Sequence, residues 1–124
     1  MAGLVLRALL ELVYFDLLLA RGDFARFCDQ VRSYQVKGSA RSSSTAQEVC
    51  AAIDLACIWY WKEVRCLQRS AATACLLRRN GVPARMVIGA QQIPFKAHAW
   101  VELDGSVIND RPYVEEIYSV LDSI

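Results

Sequence analysis

The stretch Cys66–Asp110, CLQRSAATACLLRRNGVPARMVIGAQQIPFKAHAWVELDGSVIND, changes its periodicity partway along, and that change decides the fold class. The first part reads as a helix with clear stop signals. Arg78 and Arg79 suit the negative end of a helix dipole, Asn80 and Gly81 suit its cap, and Pro83 prevents continuation. Ser70, Ala71, Ala72 and Ala74 are small, so this helix can approach a sheet closely and is expected at the centre of the molecule. The second part supplies three short strand candidates, ARMVIGA, AHAWVEL and SVIND, separated by QQIPFK and by Asp104-Gly105. A helix followed by an antiparallel ribbon gives an α+β fold.

Upstream, AQEVCAAIDLACIWYW spaces Val49, Cys50, Ile53, Cys57 and Ile58 by three and four, which predicts a helix from about Ala46 with Thr45 as its cap. Cys50 and Cys57 fall on its apolar stripe as small core residues. Before it, VKGSARSSSTAQ has no period and reads as a linker or mobile loop. The opening MAGLVLRALLELVYFDLLLARGDF reads as a helix with more apolar girth than a small core needs, serving either the core or a docking partner. The tail RPYVEEIYSVLDSI returns to helical spacing. The organisation expected is an N-terminal helical region at 1–35, a linker at 36–47 and a core at 48–124.

At 124 residues and 55% hydrophobic content the chain suits one compact domain. Fourteen Lys and Arg nearly balance thirteen Asp and Glu, so net charge marks neither a nucleic-acid partner nor an anionic membrane. Arg7, Glu11 and Asp16 interrupt the opening apolar run and argue against a membrane span. Five cysteines, an odd number without a C-x-x-C pair and without a secretory signal before them, indicate a reduced, cytoplasmic protein. One histidine and scattered thiols supply no ligand pairs at zinc spacing, so no metal is expected.

The lone imidazole, His98, sits in the ribbon, and strand register decides what it meets. A plain two-residue Asp104-Gly105 turn sets Leu103 opposite Ser106 and His98 opposite Arg111, and sends Asp110 away, with Asn109 as the fallback partner. A three-residue Leu103-Asp104-Gly105 loop with a bulge sets His98 opposite Asp110 and puts Trp100 and Ile108 on the same face. The bulged register is the expected one, because only it makes a His–Asp pair. Cys66 opens the central helix, where the dipole and unpaired N–H groups favour a thiolate and can stabilise an oxyanion. The order Cys66, His98, Asp110 is that of a nucleophile, a base and the carboxylate that orients the base.

These words, especially CL-x-R at the helix start, LLRRNGVPARMVIG across the turn and PF-x-AHAWVE-x-DG-x-VIND across the ribbon, resemble the transglutaminase-like core of the lasso-peptide leader proteases. The resemblance runs from about Val64 to Asp110. It implies a papain-like fold, with N-terminal helices and a small antiparallel sheet packed on the catalytic-Cys helix. It also implies a Cys66–His98–Asp110 triad that needs no cofactor and cuts one peptide bond at the end of a leader. The implied partners are the precursor peptide, a separate winged-helix-like leader-recognition protein and the ATP-dependent cyclase that closes the macrolactam. Gln91, Gln92 and Lys96, in the loop before His98, and Trp61, upstream of Cys66, are candidate substrate-edge residues. Two other readings share the residues: another acyl transferase or amidase using the same thioester chemistry, and a non-catalytic adaptor.

Overall fold

A computed structural model describes residues 2–38, 43–92, 95–110 and 114–124. In chain order the elements are α1 (Ala2–Ala20), α2 (Phe24–Ser33), α3 (Ser43–Trp59), α4 (Cys66–Arg79), β1 (Arg85–Gln92), β2 (Phe95–Leu103), β3 (Ser106–Val107), α5 (Val114–Ile117) and β4 (Ser119–Ser123). The strands form one antiparallel sheet in the order β3-β2-β1-β4. The fold is therefore α+β, with α1 to α4 gathered on one face of a four-stranded sheet.

Helix α4 is the central element, buried from Ser70 to Arg78 without a break. Its alanines share one apolar cluster with Ala8, Leu12 and Phe15 of α1, Val49 and Ile53 of α3, and Met86, Ile88, Ala99 and Val101 of the sheet. It stops where its punctuation indicates: Gly81 takes a positive φ of 83°, and the Asn80 amide donates to the Leu76 carbonyl at 2.8 Å. Alternation along the strands sends Val87 and Trp100 to the opposite face, where they pack with Val114. Gly89 lies on that face too. A Cβ there would stand 2.7 Å from the Trp100 ring and 2.9 Å from Tyr118 Cβ, so only glycine lets the indole lie flat across β1.

The N-terminal region holds two helices, and both contribute to the core shared with α3 and α4. Three expectations change. Helix α3 starts at Ser43, so Thr45 lies within it and the linker read at 36–47 is partly helical; residues 39–42 lie outside the described residues. The tail is not one helix: a single turn, α5, leads into β4, because Val120 and Ser119 pair with Gly89 and Ala90 of the exposed β1 edge. Finally, the ribbon takes the plain register, Leu103 opposite Ser106 and Glu102 opposite Val107. Asp104 and Gly105 both have positive φ, 52° and 79°, the two-residue turn whose twist matches that of the flanking strands. Ile108 accordingly packs toward the main core, not beside Trp100.

The acids that interrupt α1 are buried and paired. Glu11 accepts from the Tyr34 hydroxyl at 3.1 Å and from Arg79 Nε at 3.0 Å. Asp16 accepts from the Tyr60 hydroxyl at 2.7 Å and faces Lys62 Nζ at 3.0 Å. Burial by itself raises the Asp16 carboxyl, but Tyr60 and Lys62 outweigh it and hold the group below its ordinary 3.8. Burial first, then the Asp16 carboxylate, pushes the Tyr60 phenol up to about 12, so the hydroxyl stays a donor at neutral pH. Arg78, only 7% exposed, spreads its guanidinium over the carbonyls of Ala84, Val31, Tyr34 and Ile124.

Arg78→Met removes those donors and leaves carbonyls at four points of the chain to find others, so urea unfolding should show a loss of about 3 kcal/mol. A carboxyl held low in the folded chain contributes stability that is present above 3.8 and lost as pH falls through the lower folded value. Asp16→Asn should therefore flatten the acid limb of stability against pH, read from urea midpoints between about pH 5 and about pH 2.

Candidate active site

Cys66 is the first residue of α4 and is half-buried. Its helix start is built unusually: the residue at the cap is Arg65, whose guanidinium has no acceptor to offer the first-turn N–H groups. Gln68 supplies the half of a capping arrangement that remains available, accepting weakly from Arg65 N at 3.4 Å while its amide donates to the Leu12 carbonyl at 2.8 Å. The first turn of α4 is thus pinned against α1, and the Arg65 side chain does not cap its N–H groups.

The other four cysteines are in different surroundings. Cys28 and Cys75 are buried, Cys50 and Cys57 partly so. Burial pushes all four thiols up, Cys75 most of all, which leaves them poor thiolates at neutral pH.

His98 and Asp110 are brought together: His98 Nε2 is in hydrogen-bond contact with Asp110 Oδ2. Both groups are about one-quarter exposed, so the pair stands at an opening and not in the core. The ring stacks on Tyr118 with centroids 5.2 Å apart and lies 6.1 Å from the Trp100 ring. The contact forms in the register expected to forbid it, because β3 ends at Val107 and the ladder then fails in a specific way. Ile108 N still donates to the Val101 carbonyl at 3.0 Å. The reciprocal bond is missing from the ladder, since Val101 N donates to the Asn109 side-chain Oδ1 at 2.7 Å. The chain leaves the strand there, and Asp110 turns back to the imidazole. The Asn109 amide reaches on to Ser70 Oγ at 3.3 Å, one helical turn beyond Cys66.

No hydrogen bond joins Cys66 to His98 among the described residues; the link on that side runs through Ser70, Asn109 and Asp110. A cavity of about 370 Å³ lies beside Asp110, lined also by Asn109, Ile108, Thr73, Cys50 and the Asp54–Arg69 ion pair. Among the candidate substrate-edge residues, Gln91, Gln92 and Lys96 belong to β1 and β2 and not to a loop, with Gln91 opposite Lys96. Alternation places that pair on the face of His98 and Gln92 on the other. Residues 93 and 94, between the strands, lie outside the described residues. Trp61 is 72% exposed and stacks on Tyr60 with centroids 4.2 Å apart, in the segment leading to Cys66. Sequence reasoning missed Tyr118, whose tail reads as helix, and took Ser70 only as a small residue for close packing. Among the described residues, no group of three or more His, Cys, Asp or Glu could hold a metal, and no helix is long and apolar enough to cross a membrane.

Comparison with known proteins gives two findings. Residues 9–123 match the family model described as the Transglutaminase-like superfamily. Over 59 residues the chain is 41% identical to the microcin J25-processing protein McjB of Escherichia coli, which takes in 48% of this chain and 28% of that protein. The chain therefore spans less than a third of the length of this curated relative. No solved structure matches it.

Because burial pushes the thiols of Cys28, Cys50, Cys57 and Cys75 up, a single equivalent of iodoacetamide at neutral pH should label Cys66 ahead of them. Peptide mass mapping reads the site, and label spread over Cys50 and Cys57 would contradict the distinction.

Proposed function

Since this chain belongs to the transglutaminase-like superfamily, we propose that it is a cysteine peptidase that removes the leader from a ribosomally made lasso-peptide precursor, freeing the amino group that a cyclase then closes into a macrolactam. The observation that carries the reading is the contact of His98 Nε2 with Asp110 Oδ2, which leaves Nδ1 of the same ring for a thiol. The likeness to a microcin-processing protein supports the choice of substrate class.

In this mechanism His98 takes the Cys66 proton and the thiolate attacks the carbonyl carbon at the leader's end. The first-turn N–H groups of α4, which Arg65 does not cover, stabilise the oxyanion. The C–N bond then breaks, the imidazolium passes its proton to the departing amine, and a thioester remains on Cys66. Water, deprotonated by His98, releases the leader as a carboxylate and restores the thiol. Asp110 holds the ring in one tautomer and favours the imidazolium formed midway.

The protein acts in a reducing, cytoplasmic setting in this reading, in keeping with its free cysteines. Its partners are the precursor leader, a separate winged-helix-like recognition protein and the ATP-dependent cyclase. We assign the recognition partner to the outward face of α1, where Leu6, Leu10 and Leu17 are about 60% exposed.

Cys66→Ala should abolish cleavage of a precursor peptide, read by mass spectrometry in the presence of the recognition partner, while the melting temperature stays within a few degrees. His98→Ala should be comparably severe, and Asp110→Asn should lose about 10²-fold or more in kcat yet keep residual turnover, because it removes orientation and not the nucleophile. Turnover by Cys66→Ala sinks the proposal. An amine adduct in place of a free leader carboxylate would favour acyl transfer.

A further inference from the structure

We infer that Asn109 is a positioning residue: by taking the place of a strand carbonyl, its side chain ends the β2–β3 ladder and turns Asp110 onto His98. The inference rests on the proposed Cys66–His98–Asp110 chemistry and adds a residue to it.

Three observations converge on this side chain. In the observed register Val101 and Ile108 face each other as a hydrogen-bonded pair, which in a continuing ladder would exchange two bonds. Only one is made by backbone, and Asn109 Oδ1 accepts the other from Val101 N at 2.7 Å. Continued pairing would leave Asp110 one residue short of His98, opposite Ala99 with its carboxylate on the other face. Substituting one acceptor satisfies Val101 while letting the backbone leave the strand, so no buried N–H is abandoned at the break. The second end of the amide donates to Ser70 Oγ at 3.3 Å, and Ser70 is only 1% exposed, on the buried face of α4. One amide therefore fixes the departing chain to the helix that begins with Cys66, so the carboxylate and the thiol are referred to a common frame. Aspartate in that place would accept from Val101 but have no donor to offer Ser70.

The test needs no substrate. The probe is iodoacetamide, and the readout is the second-order rate of Cys66 alkylation across pH for the wild type, Asn109→Ala, Asp110→Ala and the double variant, with near-ultraviolet circular dichroism reporting the fold. Asn109→Ala should lower the neutral-pH rate about tenfold or more and displace the pH profile in the same direction as Asp110→Ala. In the Asp110→Ala background it should change almost nothing further, because both substitutions remove one interaction. Ser70→Ala, which keeps the Val101 bond and loses only the tie to α4, should give a smaller fall that also vanishes in that background. A wild-type profile for Asn109→Ala, or effects that multiply in the double variant, overturns the inference and leaves the triad standing. A wild-type profile for Asp110→Ala overturns the triad first and the inference with it.

Discussion

The fold depends on what happens around one guanidinium. Arg78 lies in the last turn of α4 and donates to the carbonyls of Val31 and Tyr34 at the end of α2, Ala84 ahead of β1, and Ile124 beside Met86. A charge in that position is strongly disfavoured unless its donors are matched, and here the acceptors come from three separate parts of the chain. The consequence is geometrical. Helix α4 cannot slide along the sheet without breaking several of these bonds together, so the position of Cys66 along the sheet is set from the other end of its helix.

Much of this is legible in the residues. The stop signal Asn80-Gly81 and the small face of α4 announce a central helix, and the alternation in AHAWVEL announces a strand with two faces. The resemblance to a transglutaminase-like core is borne out by the family model, which reaches well beyond the stretch that suggested it. What stayed hidden depends on partners far away in sequence. Nothing local in SVLDS distinguishes a helix from a strand, because β4 exists only to cover the edge of β1. Nothing local tells that Glu11 and Asp16 are buried, because their partners Arg79, Tyr34, Tyr60 and Lys62 follow much later.

The ribbon brings His98 and Asp110 into contact by a route other than the bulged register. Period-two reasoning demands a bulge at Gly105 if His98 is to meet Asp110, yet Asp-Gly prefers the tight turn and takes it. The adjustment occurs on the other side of β3, through a side chain in place of a carbonyl. Register rules govern residues that remain in the ladder. They do not govern a strand two residues long, after which the chain is free to turn toward whichever group will hold it.

The closing of the sheet by β4 has a consequence for how the molecule is made. Tyr118, against which the imidazole rests, and Ile124, which completes the cradle of Arg78, are translated after all of α1 to α4. The helices emerge long before them, with two acids on α1 awaiting cations that have yet to be translated. A nascent chain can collapse around α1, α2 and α3, but the ring has no wall and the guanidinium no final acceptor until synthesis reaches the tail. Assembly of the site therefore waits on the strand that closes the sheet.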